Sequence, residues 1–240
     1  MKLTLLGTGD AIGTPKIGCS CPQCTRSRET GENRLRTSLL IQNKEKNILI
    51  DTSPDLRLQL LKTGSPPVDA VIWTHGHYDH FIGFGEFYRI QKVPPVYGES
   101  GVIDYCAGFF PFLPVEKHPS EPYLPFDLFG IRFTLFPVSH PPAPTFGILI
   151  ETEFNKIGYT ADTNREIPAA SKKLLEDSDL LLLDAIVPDG VHIQKHMNYL
   201  DACVLAGELR AREFRCVHMS HMIPWNTPYT GTDGETFFFD

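Results

Sequence analysis

Two short stretches of the chain crowd together side chains that can hold metal ions. In THGHYDH, residues 74–80, His75, His77, Asp79 and His80 fall within six positions. Imidazole and carboxylate suit zinc, manganese or iron, and a polar loop with ordinary histidines has no need of four such groups in so little space. In GCSCPQC, residues 18–24, Cys19, Cys21 and Cys24 also fall within six positions, followed by Arg26 and Arg28. Three thiols at that spacing fit a disulfide knot, a redox centre or three quarters of a zinc site. Cys106, Cys203 and Cys216 lie in apolar runs and read as small core residues.

The elements that must position these groups alternate short apolar strands with amphipathic helices. Strands are expected at 2–7, 37–42, 47–51, 69–74, 131–138, 145–152, 156–162, 179–185 and 214–220. Many are cut off by Gly, Asp or His. A rigid strand ending in a tight loop can aim alternate side chains at one point and the next pair at a second. Helices are expected at 54–64, 167–178 and 198–212, the first with Pro54 near its start and Gly64 just past its end. Asp233-Gly234 reads as a turn before a last strand. Residues 91–130, rich in Pro and Phe, read as a packed irregular insertion, with an apolar lip over the site or a dimer contact as the functional alternative. GTGDAIG, residues 7–13, looks superficially like a dinucleotide-binding loop. Pro15, Cys19 and Cys21 stand where its helix should begin, so a strand-ending turn is the better reading.

With 240 residues and 42% hydrophobic content, the chain can bury one substantial core. Its formal net charge of −7, with no long run of Lys or Arg, argues against a large nucleic-acid footprint. No apolar stretch approaches a membrane span, and the opening MKLTLLGTGD breaks too early for an export signal. The expected location is therefore the cytoplasm. There thiols stay reduced, which favours metal over disulfide for the cysteine loop.

H-x-H-x-D-H after a buried strand resembles the signature of the metallo-β-lactamase fold hydrolases. That resemblance implies an α/β fold, an αββα sandwich of two mixed sheets packed face to face with helices outside, spanning 1–240 as a single domain. It makes Asp51 in NILIDTSPD a brace for the histidine loop, His140 in FPVSH the third histidine of the first metal, and Asp162 in GYTADT the bridging carboxylate. The first metal would then be held by His75, His77, His140 and Asp162, and the second by Asp79, His80, His218 and Asp162, with Asp184 supporting. Two such ions, of Zn, Mn or Fe, would share a hydroxide that is nucleophilic at neutral pH. Two dications, two carboxylates and one hydroxide leave roughly one positive charge, which suits a phosphodiester anion.

The cysteine loop narrows the resemblance. C-x-C-x-x-C at 19–24 and LLGTGDAIGTP at 5–15 resemble the PhnP-type cyclic phosphodiesterases of the carbon–phosphorus lyase pathway. In that family the loop, at 18–25 here, binds a structural zinc whose fourth ligand would be His221. His196, in QKHMN, matches the histidine that protonates the leaving alkoxide, with His192 four residues earlier as a rival, and Asp79 is carried over as catalytic too. The resemblance implies hydrolysis of a small, cyclic ribose-type phosphodiester by a homodimer, while the charge and the lack of a long apolar stretch speak against nucleic acid and membrane as partners. The alternatives are a transfer-RNA 3′-processing nuclease like RNase Z, and a non-hydrolytic cofactor-biosynthesis protein like PqqB.

Overall fold

The computed structural model describes residues 1–240. Two mixed sheets carry the architecture. The first runs in the order β13-β1-β2-β3-β4-β5-β6. It comprises β1 (Lys2–Gly7), β2 (Ser38–Asn43), β3 (Lys46–Ile50), β4 (Ala70–Ile72), β5 (Val96–Gly98), β6 (Lys117–Pro119) and β13 (Thr236–Phe238). The second runs β12-β11-β10-β9-β8-β7. Its strands are β7 (Pro125–Leu128), β8 (Ile131–Pro137), β9 (Phe146–Glu151), β10 (Lys156–Tyr159), β11 (Leu180–Asp184) and β12 (Glu213–Val217). Neighbours from β3 to β6 and from β10 to β12 run parallel, and the rest antiparallel.

Both sheets bury one continuous apolar core. Leu3, Leu39, Ile48 and Val71 of the first share it with Phe133, Ile148, Ile150 and Leu182 of the second. A second cluster packs α7 (Tyr199–Glu208), through Ala202, Leu205 and Ala206, against Leu181, Leu183 and Cys216. The helices α2 (Leu56–Lys62) and α6 (Ala169–Leu175) complete the layers, so the arrangement is the expected αββα sandwich. No helix is long and apolar enough to cross a membrane.

Two differences from the sequence reading are instructive. The strands expected at 69–74, 156–162 and 214–220 stop short, at Ile72, Tyr159 and Val217. Their last apolar-looking residues leave the ladder to carry Thr74, Asp162 and His218 into the site. Residues 91–130 are not irregular. They hold β5, β6, β7 and α5 (Ser100–Gly108), capped by Glu99, which accepts from the N–H groups of Gly101 and Val102. The buried face of α5, Val102, Ile103, Cys106 and Ala107, is too short to show its period among flanking Pro and Phe. Likewise α1 (Pro22–Thr30) and the helical run from α3 (Tyr78–Phe81) through a 3-10 turn (Ile82–Glu86) to α4 (Phe87–Ile90) lay hidden under Cys, His and Gly.

Candidate metal centre and its cysteine clip

The ends of six strands meet where the two sheets join. Asp51 follows β3, His75 follows β4, and the chain past β8 reaches His140; Asp162 follows β10, Asp184 ends β11, and His218 follows β12. Phe146 N–H donates to Thr74 O at 3.1 Å and Met219 N–H to Thr8 O at 2.8 Å, so backbone bonds tie one sheet to the other on two sides of the centre. Three non-glycine residues here take left-handed backbone: Asp51 (φ 60°), Ala161 (φ 53°) and His218 (φ 57°). That conformation costs an L residue roughly 1–2 kcal/mol, and its concentration at the strand ends is the local strain of sharp turns aimed inward.

The side chains fall into two groups whose donor atoms lie within 4.8 Å of one another: His75, His77, His140 and Asp162, and Asp79, His80 and His218. Asp162 faces both. Its carboxylate oxygens lie 3.6 Å from His75 Nε2, 3.8 Å from His140 Nε2, 3.4 Å from His80 Nε2 and 3.3 Å from His218 Nε2. Asp162 thus stands between the two groups. Asp79 Oδ2 lies 3.3 Å from both His80 Nε2 and His218 Nε2.

Outer contacts aim the imidazoles. Asp51 Oδ2 accepts from His80 Nδ1 at 2.6 Å and from Thr74 Oγ1 at 2.8 Å, leaving His80 Nε2 facing inward. His140 Nδ1 donates to the Lys195 carbonyl at 3.0 Å, which turns Nε2 inward to within 3.0 Å of His77 Nδ1. Thr74 Oγ1 also lies 3.0 Å from His75 Nδ1. Neither Thr74 nor the Lys195 carbonyl stood out in the sequence. Thr74 opens the histidine motif and was at least adjacent to a signal, whereas a backbone carbonyl leaves none.

The electrostatics fit cation binding. Burial, and then the charge on His80, hold His75 well below the ordinary histidine range. Burial pushes His140 down to about 4, against the pull of Asp162. Burial opposes ionisation of Asp79 and Asp162, but the charges of His80 and His218 overcome it and keep both carboxyls well below their usual range. The same carboxylates hold His80 above the ordinary histidine range and raise His218 to about 9, against burial, so a metal binding there would displace their protons while His75 and His140 already stand neutral. His75 Nε2, His80 Nε2 and Asp162 Oδ1 are fully buried without a hydrogen-bond partner. Each would cost roughly 1–3 kcal/mol unsatisfied, and a bound cation would supply the missing contacts. The donor set therefore fits metal binding.

His196 closes the far side. Its Nδ1 lies 2.6 Å from Asp184 Oδ2, which also accepts from Thr163 N–H at 2.9 Å. Burial raises the Asp184 carboxyl, and the His196 charge and hydrogen bond oppose that rise. The His196 ring stacks on His218 at 5.1 Å between centroids and stands edge-on to His140 at 4.6 Å. His192, its rival, is exposed and joins no cluster.

The cysteine loop forms a separate tetrad, in which Cys19, Cys21, Cys24 and His221 lie within 4.8 Å of one another. Cys21 caps α1 by accepting from Cys24 N–H, with Pro22 in the first turn where no donor is needed. His221 Nδ1 lies 3.4 Å from Cys21 Sγ and 3.6 Å from Cys19 Sγ. Burial opposes ionisation of Cys21, yet the hydrogen bonds from His221 and Cys24 N–H bring it down to about 6. Buried Arg34 secures the other side, donating to the carbonyls of Ser220 (3.1 Å) and Ile223 (2.8 Å) and lying over the Trp225 ring. Trp225 Nε1 in turn donates to Gln23 O of α1 at 3.1 Å. The loop that carries His218 is therefore held from both ends. Nothing in the sequence marked Arg34 for that task. Of the three other cysteines, Cys106 and Cys216 are core residues and Cys203 is only partly buried.

Residues 46–219 match the family model described as a β-lactamase superfamily domain. The chain is 30% identical over 237 residues to an octanoyltransferase of Porphyromonas gingivalis, covering 93% of this chain but 47% of that protein. It is 29% identical over 186 residues to coenzyme PQQ synthesis protein B of Methylobacterium radiotolerans, covering 68% and 59% respectively. It thus spans about half the length of these relatives. A crystal structure described as a new diphosphatase from the PhnP family superposes with a TM-score of 0.89 at 30% identity, covering all of this chain and 98% of that one.

Proposed function

The chain belongs to the β-lactamase superfamily domain family, and from that premise and the site's geometry we propose that it is a metal-dependent phosphodiesterase acting on a small, cyclic ribose-type phosphodiester. The first ion would be held by His75, His77, His140 and Asp162, the second by Asp79, His80, His218 and Asp162, and a structural zinc by the cysteine tetrad. Zn, Mn and Fe all suit the paired site. When bound, a metal pair acidifies water and stabilises the charge that develops on the attacking and departing oxygens.

The observation that carries the phosphodiester reading is the His196–Asp184 pair beside the metal-ligand cluster, at 2.6 Å. Opening a phosphodiester expels an alkoxide, a poor leaving group that needs a proton as the P–O bond breaks. Asp184 keeps the Nδ1 proton and steadies the imidazolium, so Nε2 presents its proton to the leaving oxygen. Asp79, held ionised, accepts a hydrogen of the attacking water and orients it. Four buried carboxylates, Asp51, Asp79, Asp162 and Asp184, converge here, a density of negative charge that two bound dications would offset. Burial holds His77 low against Asp162 and Asp79, with smaller help from the charges of His80 and Lys195, and the Lys195 charge is one an anionic substrate calls for.

A screen of cyclic and linear phosphodiesters, diphosphates and precursor tRNA on protein of defined metal content tests the proposal. Cyclic ribose-type diesters should be turned over, and Asp162→Ala should abolish turnover and lower the metal content of the paired site. Faster, salt-sensitive cleavage of precursor tRNA would favour a nuclease instead. Inactivity on every substrate at full metal loading would favour a non-hydrolytic role.

A further inference from the structure

The metal-ligand loop is in contact with an aromatic surface that the hydrolytic machinery does not use. Gly76 separates His75 from His77, and a Cβ placed there would lie 2.5 Å from Cδ1 and 2.7 Å from Cε1 of Tyr105. The backbone at Gly76 has no positive φ, so glycine is required by the approach of the ring and not by the turn. Tyr105 comes from α5, whose next residue, Cys106, sits against the His75 carbonyl at 3.9 Å. The helix is thereby pressed onto the loop. Phe109, one turn further along, packs edge-on to Tyr105 at 5.2 Å, and both rings rest on buried Phe81 at 6.1 and 5.1 Å. Support from below does not account for what is left above: Tyr105 is 55% exposed and Phe109 52%. Tyr78, between His77 and Asp79, adds a third exposed ring on the same loop.

The geometry points to Tyr105, with Phe109 behind it, as a stacking platform for a nucleobase, so that the substrates of this centre are nucleoside phosphodiesters. This deepens the phosphodiesterase reading and rests on it. An aromatic face next to a phosphate site gains free energy from any flat base without demanding its identity. Continuity with the half-buried His77 favours a substrate group over a second protein chain, because the ring contacts the ligand loop itself.

The test compares a nucleoside cyclic phosphate with the matching methyl riboside cyclic phosphate, which has the same scissile bond and no base. Metal-loaded wild type should show a KM about tenfold lower for the nucleoside compound. Tyr105→Ala should remove most of that preference and Tyr105→Phe should keep it, with the KM for the base-free compound unchanged in both. Calorimetric binding of the corresponding monophosphates to metal-loaded protein should show the same preference and the same loss. Equal weakening on both compounds would make Tyr105 a mere buttress of the loop and overturn the platform. So would a wild type that does not distinguish them. If neither diester is turned over, the phosphodiesterase reading falls, while the binding ratio still decides for or against the platform.

Discussion

Replacing His196 separates acid catalysis from scaffolding if the substitution leaves Asp184 satisfied. His196→Asn does so: its amide nitrogen can occupy the place of Nδ1, 2.6 Å from Asp184 Oδ2, while the Nε2 proton is lost. Asp184 is fully buried, so removing the donor outright would confound the measurement by leaving a charge unpaired. A lost hydrogen bond to a charged group is worth about 1.5–3 kcal/mol, or roughly 10- to 150-fold in rate, on every substrate alike. General acid catalysis contributes about 100- to 10,000-fold, but only where the departing oxygen needs a proton. His196→Asn should therefore reduce kcat/KM by about 100-fold or more on an alkyl phosphodiester, and by less than about tenfold on a p-nitrophenyl ester, whose phenolate leaves unaided. Asp184→Asn, which keeps the imidazole but not the charge behind it, should lose less and in the same sense. Equal losses on the two esters would refute the assignment. They would place His196 among the metal ligands, a position its proximity to Asp162 and His218 allows.

Cys21→Ser should lose one equivalent of bound zinc and lower the melting temperature; unchanged metal content would disprove the clip. Tyr159→Phe removes a buried hydroxyl that no protein group partners, so unfolding in urea should show equal stability or a gain of up to about 1 kcal/mol; a loss above that would reveal a bond to that hydroxyl. Burial lifts the Asp233 carboxyl from 3.8 to about 6, despite bonds from Leu35 N–H and Thr8 Oγ1. Its proton is thus bound more tightly in the folded state, and stability present below pH 3.8 declines as pH rises to about 6, by up to about 3 kcal/mol. Asp233→Asn should lack that decline, and a variant whose stability follows wild type between pH 4 and 7 would contradict it.

What the sequence reveals of this site follows from which interactions are local. His75, His77, Asp79 and His80 sit on one turn after β4, so the chemistry of the motif reads directly from spacing. His140, Asp162, His196 and His218 lie far apart along the chain and were found only because each follows an apolar strand and resembles a known pattern. Spacing alone says nothing of their distances. The residues that aim them are quieter still. Thr74 and the Lys195 carbonyl act through single hydrogen bonds, and Arg34 through carbonyls nearly two hundred residues away. In the fold, long strands such as β8 and β9 show their period, whereas β5, β6 and α5 are too short and too interrupted to do so.

The position of the centre follows from the seam more than from the motif. The histidine loop at the end of β4 supplies two donors to each group and cannot complete either by itself. The rest come from the other sheet, because β10, β11 and β12 run parallel and finish at the same edge, which places Asp162 and His218, with Asp184 behind them, opposite the loop. Backbone bonds from Phe146 to Thr74 and from Met219 to Thr8 then keep the two edges from sliding apart. Each left-handed residue at these ends, and each carboxylate buried beside a neighbour of like charge, works against the fold. The shared core beneath, from Leu3 to Leu182, offsets them. The cysteine tetrad acts on the strand end with the longest loop behind it. The loop after His218 runs through His221 to Trp225, and α1 holds it where a sheet bond cannot. The clip and the seam are thus two solutions to one problem, that of keeping like-charged, strained side chains converged on a single point.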